Sequence, residues 1–277
     1  MTQPINCVVF FSGGAASWAA GKLAVEKYGR DKTTLLFTDT LIEDADLYRF
    51  LDEAAANIDA PLVRLADGRT PWQIFRDEKI IGNSRIDPCS KILKRKLSER
   101  WLKENRDPAT TALVFGIDWT EKHRFDDGEG RGVKNRYARL GWPHVEALLT
   151  LSPLMAKWDV MAWLKREGLQ RPRLYDLGFA HNNCGGACVK AGKGHWAHLL
   201  RTLPAIYADW EREEEAFNDS RPERRPQTIL RDQFDDDRPT LPVSLREFRR
   251  RIEAGAQIDM FDVGGCDCFF PEQEAAE

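Results

Sequence analysis

The feature that most constrains this chain is an apolar run near its start that ends in a turn of small residues. Residues 5–11 (Ile-Asn-Cys-Val-Val-Phe-Phe) are followed directly by Ser12-Gly13-Gly14. A short continuous apolar run reads as a strand buried on both faces. Residues 17–27 then have helical character, so the opening unit is strand, tight turn, helix. The alternation continues. Residues 33–38 make a second buried strand, and residues 44–57 an amphipathic helix with Leu47, Tyr48, Phe50 and Leu51 as apolar positions. Residues 60–65 and 111–115 read as a third and a fourth strand. Strands alternating with helices predict an α/β fold with a doubly wound, mostly parallel sheet.

After about residue 150 the pattern becomes helical. Residues 158–167 read as a helix closed by Gly168, and residues 193–217 as one longer helix. Residues 219–240, rich in Asp, Arg and Pro, read as a solvated connection, and the last 15 residues as a Cys-bearing acidic tail. The expected organisation is a nucleotide-binding α/β domain over 1–190 and a helical extension with a tail over 191–277. No apolar stretch approaches the roughly 18 residues of a membrane span, and the first residues carry no basic leader. The expectation is a cytoplasmic protein with no membrane partner. A net charge of −3 excludes a global basic field.

The chemistry-bearing signal in the first unit is the loop Ser12-Gly13-Gly14-Ala15-Ala16-Ser17. Glycines let a backbone approach a phosphate closely, and the helix N-terminus presents amides and partial positive charge to it. Ser12 and Ser17 add hydroxyl donors. An ordinary strand-to-helix turn would use the same glycines. A Walker A loop is excluded, because Gly14 and Gly21-Lys22 are wrongly spaced and Leu23 stands where Ser or Thr is required.

Six cysteines in a chain without an export signal read as reduced thiols. Cys7 lies in the first strand and reads as a core residue. Cys89, Cys184, Cys188, Cys266 and Cys268 stand among Gly, Pro, Asn and Asp, surroundings that suit ligands better than packing. Four thiolates suit an iron–sulfur cluster or zinc. Two basic runs follow no single reading. Residues 91–106 fit a helix with one core face and one solvated face, or a cradle for polyphosphate or a nucleic-acid backbone. Arg131, Lys134, Arg136 and Arg139 follow a Gly-rich stretch that has the composition of a mobile loop. His195 reads as a surface or capping histidine, with a ligand role as the alternative. The nine Trp read mostly as core.

The loop SGGxxS after the first strand resembles the PP-loop of the adenine-nucleotide α-hydrolase superfamily. Phe37-Thr38-Asp39-Thr40 resembles the Asp-Thr element of its phosphoadenosine-phosphosulfate reductase branch. Gly116-x-Asp118-x-x-Glu121-x-x-Arg124 is similar to another segment of that branch, with Asp118 where a basic residue is usual. Pro153-Leu154, Trp158-Asp159-Val160 and Leu174-Tyr175-x-x-Gly178-Phe179 before Cys184 match its later signature in order. The resemblance covers residues 5 to about 190. It implies an adenine nucleotide, ATP with Mg²⁺, at residues 12–17, Thr38, Asp39, Thr40, Gly116 and Arg124.

Cys89 with its following Lys and Arg resembles the cluster motif of iron–sulfur adenylylsulfate reductases, with Pro88 replacing the first Cys of the pair. On this resemblance the metal ligands are Cys89, Cys184, Cys188 and Cys268 (or Cys266), holding a 4Fe–4S cluster, with zinc as the alternative. The implied activity is adenylation with pyrophosphate release, followed by sulfur transfer in which Cys266 or Cys268 is the candidate catalytic thiol. Its expected acceptor is a nucleic acid, tRNA or DNA, and its candidate sulfur donor a cysteine desulfurase. A homo-oligomer is compatible. The alternatives are a sulfonucleotide reductase, whose C-terminal Cys signature is absent here, and a nucleotide-sensing protein with structural zinc.

Overall fold

The computed structural model describes residues 4–232, 240–260, 262 and 264. β1 (Asn6–Phe10) leads into α1 (Ala15–Tyr28), followed by β2 (Thr33–Asp39), α2 (Ala45–Ile58), β3 (Leu62–Ala66) and α3 (Pro71–Glu78). A π-helical segment, Ser90–Lys96, runs into α4 (Leu97–Asn105) and then β4 (Thr111–Phe115). Short helices α5 (Lys122–Phe125) and α6 (Val133–Arg139) precede β5 (Val145–Glu146). The remainder is α7 (Lys157–Arg166), α8 (Arg173–Asp176), α9 (Lys193–Thr202), α10 (Pro204–Asp219), β6 (Leu230–Asp232), β7 (Leu241–Val243) and α11 (Leu245–Glu253).

The main sheet has the order β3-β2-β1-β4-β5 and is parallel throughout. Successive β1 side chains face opposite layers, as the period of two requires. Cys7 and Val9 pack with Trp18, Phe50 and Leu164 from α1, α2 and α7. Val8 and Phe10 pack with Leu102 and Tyr137 from α4 and α6. Both faces are covered, which is why β1 is apolar without alternation. The expected doubly wound α/β fold is present, and no helix among the described residues is long and apolar enough to cross a membrane.

A further core joins Trp72 and Phe75 of α3 to Trp196, Tyr207, Trp210 and Phe248 of the C-terminal helices. Two expectations for this region are corrected. Residues 193–217 form two helices, because Pro204 cannot donate to the helix before it and forces Leu203 out of helical geometry. The stretch 219–240 is also not all solvated connection: Thr228, Ile229 and Leu230 are buried, and β6 pairs antiparallel with β7. Glu214, 1% exposed, holds this arrangement together. Its carboxylate accepts from the amides of Ile229 at 2.9 Å and Leu245 at 2.7 Å.

The strand order reverses between β1 and β4, and in such sheets the crevice for a ligand opens at that reversal. Gly116, just after β4, lies against the first turn of α1. A Cβ built on it would meet Ser17 Cα at 2.5 Å and Ser17 N at 2.6 Å. Backbone on backbone leaves no flexible group to move aside. Gly116→Ala should therefore lower stability by about 1–3 kcal/mol, the usual cost of overpacking, measurable as a drop in melting temperature.

Burial pushes the Glu214 carboxyl up to about 7, against its two amide bonds. A folded pKa above the unfolded value means that the folded state binds this proton more tightly. The contribution is fully present below the unfolded pKa and is lost as pH rises through about 7. Glu214→Gln should lower the melting temperature overall yet flatten its decline between pH 5 and 8. An unchanged slope in thermal melts across that range would contradict the shift.

Candidate functional site

Two cavities share walls at the strand reversal. One of about 100 Å³ is mainly apolar, walled by Phe10, Phe37, Phe115 and Val133. The other, about 310 Å³, is lined by polar groups that include Arg124, Lys157, Tyr175 and Asn182. Ser12, Ser17, Gly116, Arg124 and Asn183 border both. Gly14, Ala15 and Ala16 line the larger one.

The loop is shaped by its own small residues. Gly13 adopts φ 75°, the left-handed region in which a side chain is strained. The Ser17 hydroxyl donates to the Gly14 carbonyl at 2.8 Å, and the Ser12 hydroxyl lies 3.4 Å from Ser17 Oγ. The Gly14 amide donates to Ser17 Oγ at 3.3 Å, while Gly14 at the N-cap has no side chain to cap the amides after it, and the first turn holds no acidic residue. The N-terminal partial charge of a 14-residue helix is thus left facing the crevice, where it favours an anion.

Cations stand opposite. Lys157 Nζ donates to the Ala180 carbonyl at 2.6 Å and lies 5.3 Å above the Tyr175 ring. Burial lowers its pKa, while Glu121 and Asp118 act to raise it. A bound anion would offset the same desolvation. Arg124 reaches the crevice while paired to Glu121 at 2.8 Å.

Thr38 borders the apolar cavity. Asp39 and Thr40 border neither cavity. Asp39 Oδ1 accepts from the Leu41 amide at 2.8 Å and the Tyr48 hydroxyl at 2.9 Å. Thr40 Oγ1 donates to Glu43 Oε1 at 2.8 Å. Sequence reasoning missed Glu43, Asn182 and Asn183, which belong to no local motif, and read Lys94 only as part of the basic run after Cys89. Lys157 and Tyr175 lay inside quoted signature segments, and that proximity was the available signal.

The cysteine loop adjoins this crevice. Cys184, Gly185 and Gly186 take φ of 55°, 58° and 85°, three left-handed residues in succession. A Cβ on Gly185 would meet the Ile42 carbonyl at 2.6 Å. The Cys184 amide donates to Glu43 Oε2. Lys94 Nζ lies 3.7 Å from Glu43 Oε1 and 4.0 Å from Cys184 Sγ. Burial raises the Glu43 pKa, and the Lys94 ammonium opposes that rise. Burial, with Cys184 and Asp87 adding to it, pushes the Cys89 thiol up to about 12. Asn182 Nδ2 donates to the Gly13 carbonyl at 2.9 Å, joining the cysteine loop to the Gly loop.

Several expectations change here. Of the basic run 91–106, left open between a two-faced helix and an anion cradle, Lys94 and Arg95 are buried, Lys94 bordering the apolar cavity and Arg95 gripping Asp87 at 3.0 and 3.1 Å. His195 is buried rather than at the surface, with Nε2 2.6 Å from the Gly186 carbonyl. Arg131, Lys134 and Arg136 are ion-paired to Asp127, Asp126 and Glu99. Two of the nine Trp are not core: Trp119 is 42% exposed and Trp158 67%.

Among the described residues no group of three or more His, Cys, Asp or Glu side chains is placed to hold a metal ion. Cys266 and Cys268 lie outside the described residues. Gly264, two positions before Cys266, pairs antiparallel with Ala191, three positions after Cys188. Asp262 also accepts from the amides that open α9, at 3.0 Å from Lys193 and 2.8 Å from Gly194.

The profile of the phosphoadenosine phosphosulfate reductase domain matches residues 6–185. Among solved structures, a phosphoadenylyl-sulfate (PAPS) reductase from Candida auris in a phosphate complex is similar at 14% identity and a TM-score of 0.43. That similarity covers 64% of this chain and 80% of that one. No curated protein matches. The profile takes in the Gly loop, all five strands of the main sheet and Cys184, and the chain belongs to the phosphoadenosine phosphosulfate reductase domain family.

Proposed function

We propose that this chain is an adenine-nucleotide-dependent enzyme that adenylates a substrate, releases pyrophosphate and exposes the adenylated group to a sulfur nucleophile. Nucleic acid, tRNA or DNA, is the proposed acceptor. The observation that carries the reading is the apolar cavity set directly beside the uncapped start of α1. An aromatic base fits the first, and a polyphosphate fits the second.

The residues divide the work accordingly. The α1 amides and the Ser12 and Ser17 hydroxyls would hold phosphate oxygens, and Lys157 and Arg124 would balance charge that builds as the α-phosphate is attacked. The substrate oxygen forms the new bond to the α-phosphorus, and the bond to the pyrophosphate oxygen breaks. Mg²⁺ bound with the nucleotide would supply further charge neutralisation. A thiolate-bound centre, 4Fe–4S or zinc, would need Cys266 or Cys268 beside Cys89, Cys184 and Cys188. A sulfur donor protein such as a cysteine desulfurase fits the same scheme.

Family membership favours a second reading, reduction of a sulfonucleotide, in which a cysteine thiolate attacks the sulfate sulfur and expels the nucleotide, and a thiol of an added dithiol then attacks the resulting S-sulfocysteine, forming a disulfide and releasing sulfite. The two readings separate by product. Purified anaerobically, the protein should release pyrophosphate from ATP and Mg²⁺ when an acceptor nucleic acid is present. Sulfite from a sulfonucleotide with a dithiol, and no pyrophosphate, would replace the first reading with the second. ATP binding without either product would leave a nucleotide sensor. Iron and sulfide analysis of the same sample decides between cluster and zinc. Lys157→Ala should weaken ATP binding about 10- to 100-fold by calorimetry, the range for losing one charged hydrogen bond, with an unchanged melting temperature.

A further inference from the structure

The larger cavity holds one chemical group that the nucleotide reading leaves unused. His181 lines it, half-buried, and its imidazole has no hydrogen-bond, ion-pair or ring partner among the described residues. The backbone on either side of it is fixed. Lys157 Nζ donates to the Ala180 carbonyl at 2.6 Å, and Asn182 Nδ2 donates to the Gly13 carbonyl at 2.9 Å. His181 is therefore held between the wall that carries Lys157 and the Gly loop. A second unsatisfied group stands beside it, since Asn182 is 2% exposed and its Oδ1 lacks a hydrogen-bond partner among the described residues.

The charges of the cavity give this imidazole its weight. Two acids and two cations line it, Asp118 and Glu121 against Arg124 and Lys157. Arg124 is paired with Glu121 at 2.8 Å, and Asp118 and Glu121 both act on Lys157. Asp118 also accepts from the Thr120 amide and hydroxyl at 2.9 and 2.6 Å. The four charges cancel, so a polyphosphate meets no net positive charge from them. The start of α1 supplies only a partial one. Tyr175, the other titratable lining group, can only become an anion. In the adjoining cysteine loop, Cys184, Glu43 and Lys94 are engaged with one another. His181 is thus the lining group that can add a full positive charge near neutral pH.

We propose that His181 is a phosphate ligand charged by binding: its imidazole takes a proton from solvent as the nucleotide enters, and the imidazolium pairs with a phosphate oxygen. An opposite charge in contact favours the protonated form of a base. Where the free imidazole is neutral and the bound one charged, each complex takes up a proton, and affinity falls as pH rises. Below that window the imidazole is charged in both states and affinity is flat. This rests on the nucleotide placed in the crevice above and adds proton linkage to its binding.

The test is calorimetry of the full chain with ATP and saturating Mg²⁺ between pH 6 and 8.5, in two buffers of different ionisation enthalpy. Wild type should take up a fraction of a proton per nucleotide near pH 7, and its affinity should fall about tenfold across the range. His181→Gln should weaken binding about tenfold at pH 6, the scale of one hydrogen bond to a charged group, and have little effect at pH 8.5. The nucleotide's own titration persists in that variant, so the difference between the two curves belongs to His181. His181→Lys should bind as wild type does at pH 6 and hold that affinity to pH 8.5. Should one variant fail to fold, the other carries the comparison. A pH dependence and proton uptake shared by wild type and a folded variant would overturn the ligand. ATP binding with His181-dependent uptake, and no pyrophosphate release with tRNA or DNA, would remove the adenylation reading and leave the ligand standing. A wild type that binds no ATP would overturn both.

Discussion

The fold depends on one close approach, the backbone of Gly116 against the first turn of α1. A parallel sheet that reverses its strand order leaves a gap between the loops after its two central strands, here β1 and β4. In this chain the gap is narrowed until the β4 loop touches the helix start, with no room for a Cβ. The Ser12–Ser17 pair is held at the junction of the two cavities as a result. Gly13 supplies the left-handed turn on the other side of the contact. Two glycines far apart in sequence thus set the width of one crevice.

The parts of the fold legible in the sequence were those whose burial is local. β1 and β2 are covered on both faces, so they write themselves as unbroken apolar runs. The Gly loop was legible from its small residues between a buried strand and a helix, and Gly116 only through the family resemblance, since its contact with α1 joins segments distant in the chain. What was not legible depends on partners distant in the chain. The basic run 91–106 stayed open between a two-faced helix and an anion cradle, because Glu43 and Asp87 meet Lys94 and Arg95 only after folding. Pro204 did carry a local signal, and the helical pattern on both sides of it obscured the break. Trp158 sits at helical spacing in α7, yet it occupies that helix's first turn at the crevice rim, where no layer covers it.

At the corner between the Gly loop and the cysteine loop, a lysine, a carboxylate and an asparagine amide from distant parts of the chain, Lys94, Glu43 and Asn182, are buried together. The Gly13 carbonyl can only accept, so the Asn182 amide nitrogen must face it, and Oδ1 must point away. That oxygen has no hydrogen-bond partner among the described residues. A buried acceptor left unmade costs about 1–3 kcal/mol, and a left-handed Cys184 adds about 1–2.

Apolar residues of similar volume would avoid those costs, so the arrangement is not explained by stability. Geometry explains it better. Asn182 fixes the Gly loop, Glu43 fixes the Cys184 amide, and Lys94 touches Glu43 and Cys184 while its side chain also borders the apolar cavity. Any anion entering that cavity meets the same ammonium that faces the thiol. The strain and the unmatched acceptor are thus concentrated where the Gly loop, the cysteine loop and the π-helical segment converge, the pattern of a site whose groups are held in register at a cost in stability.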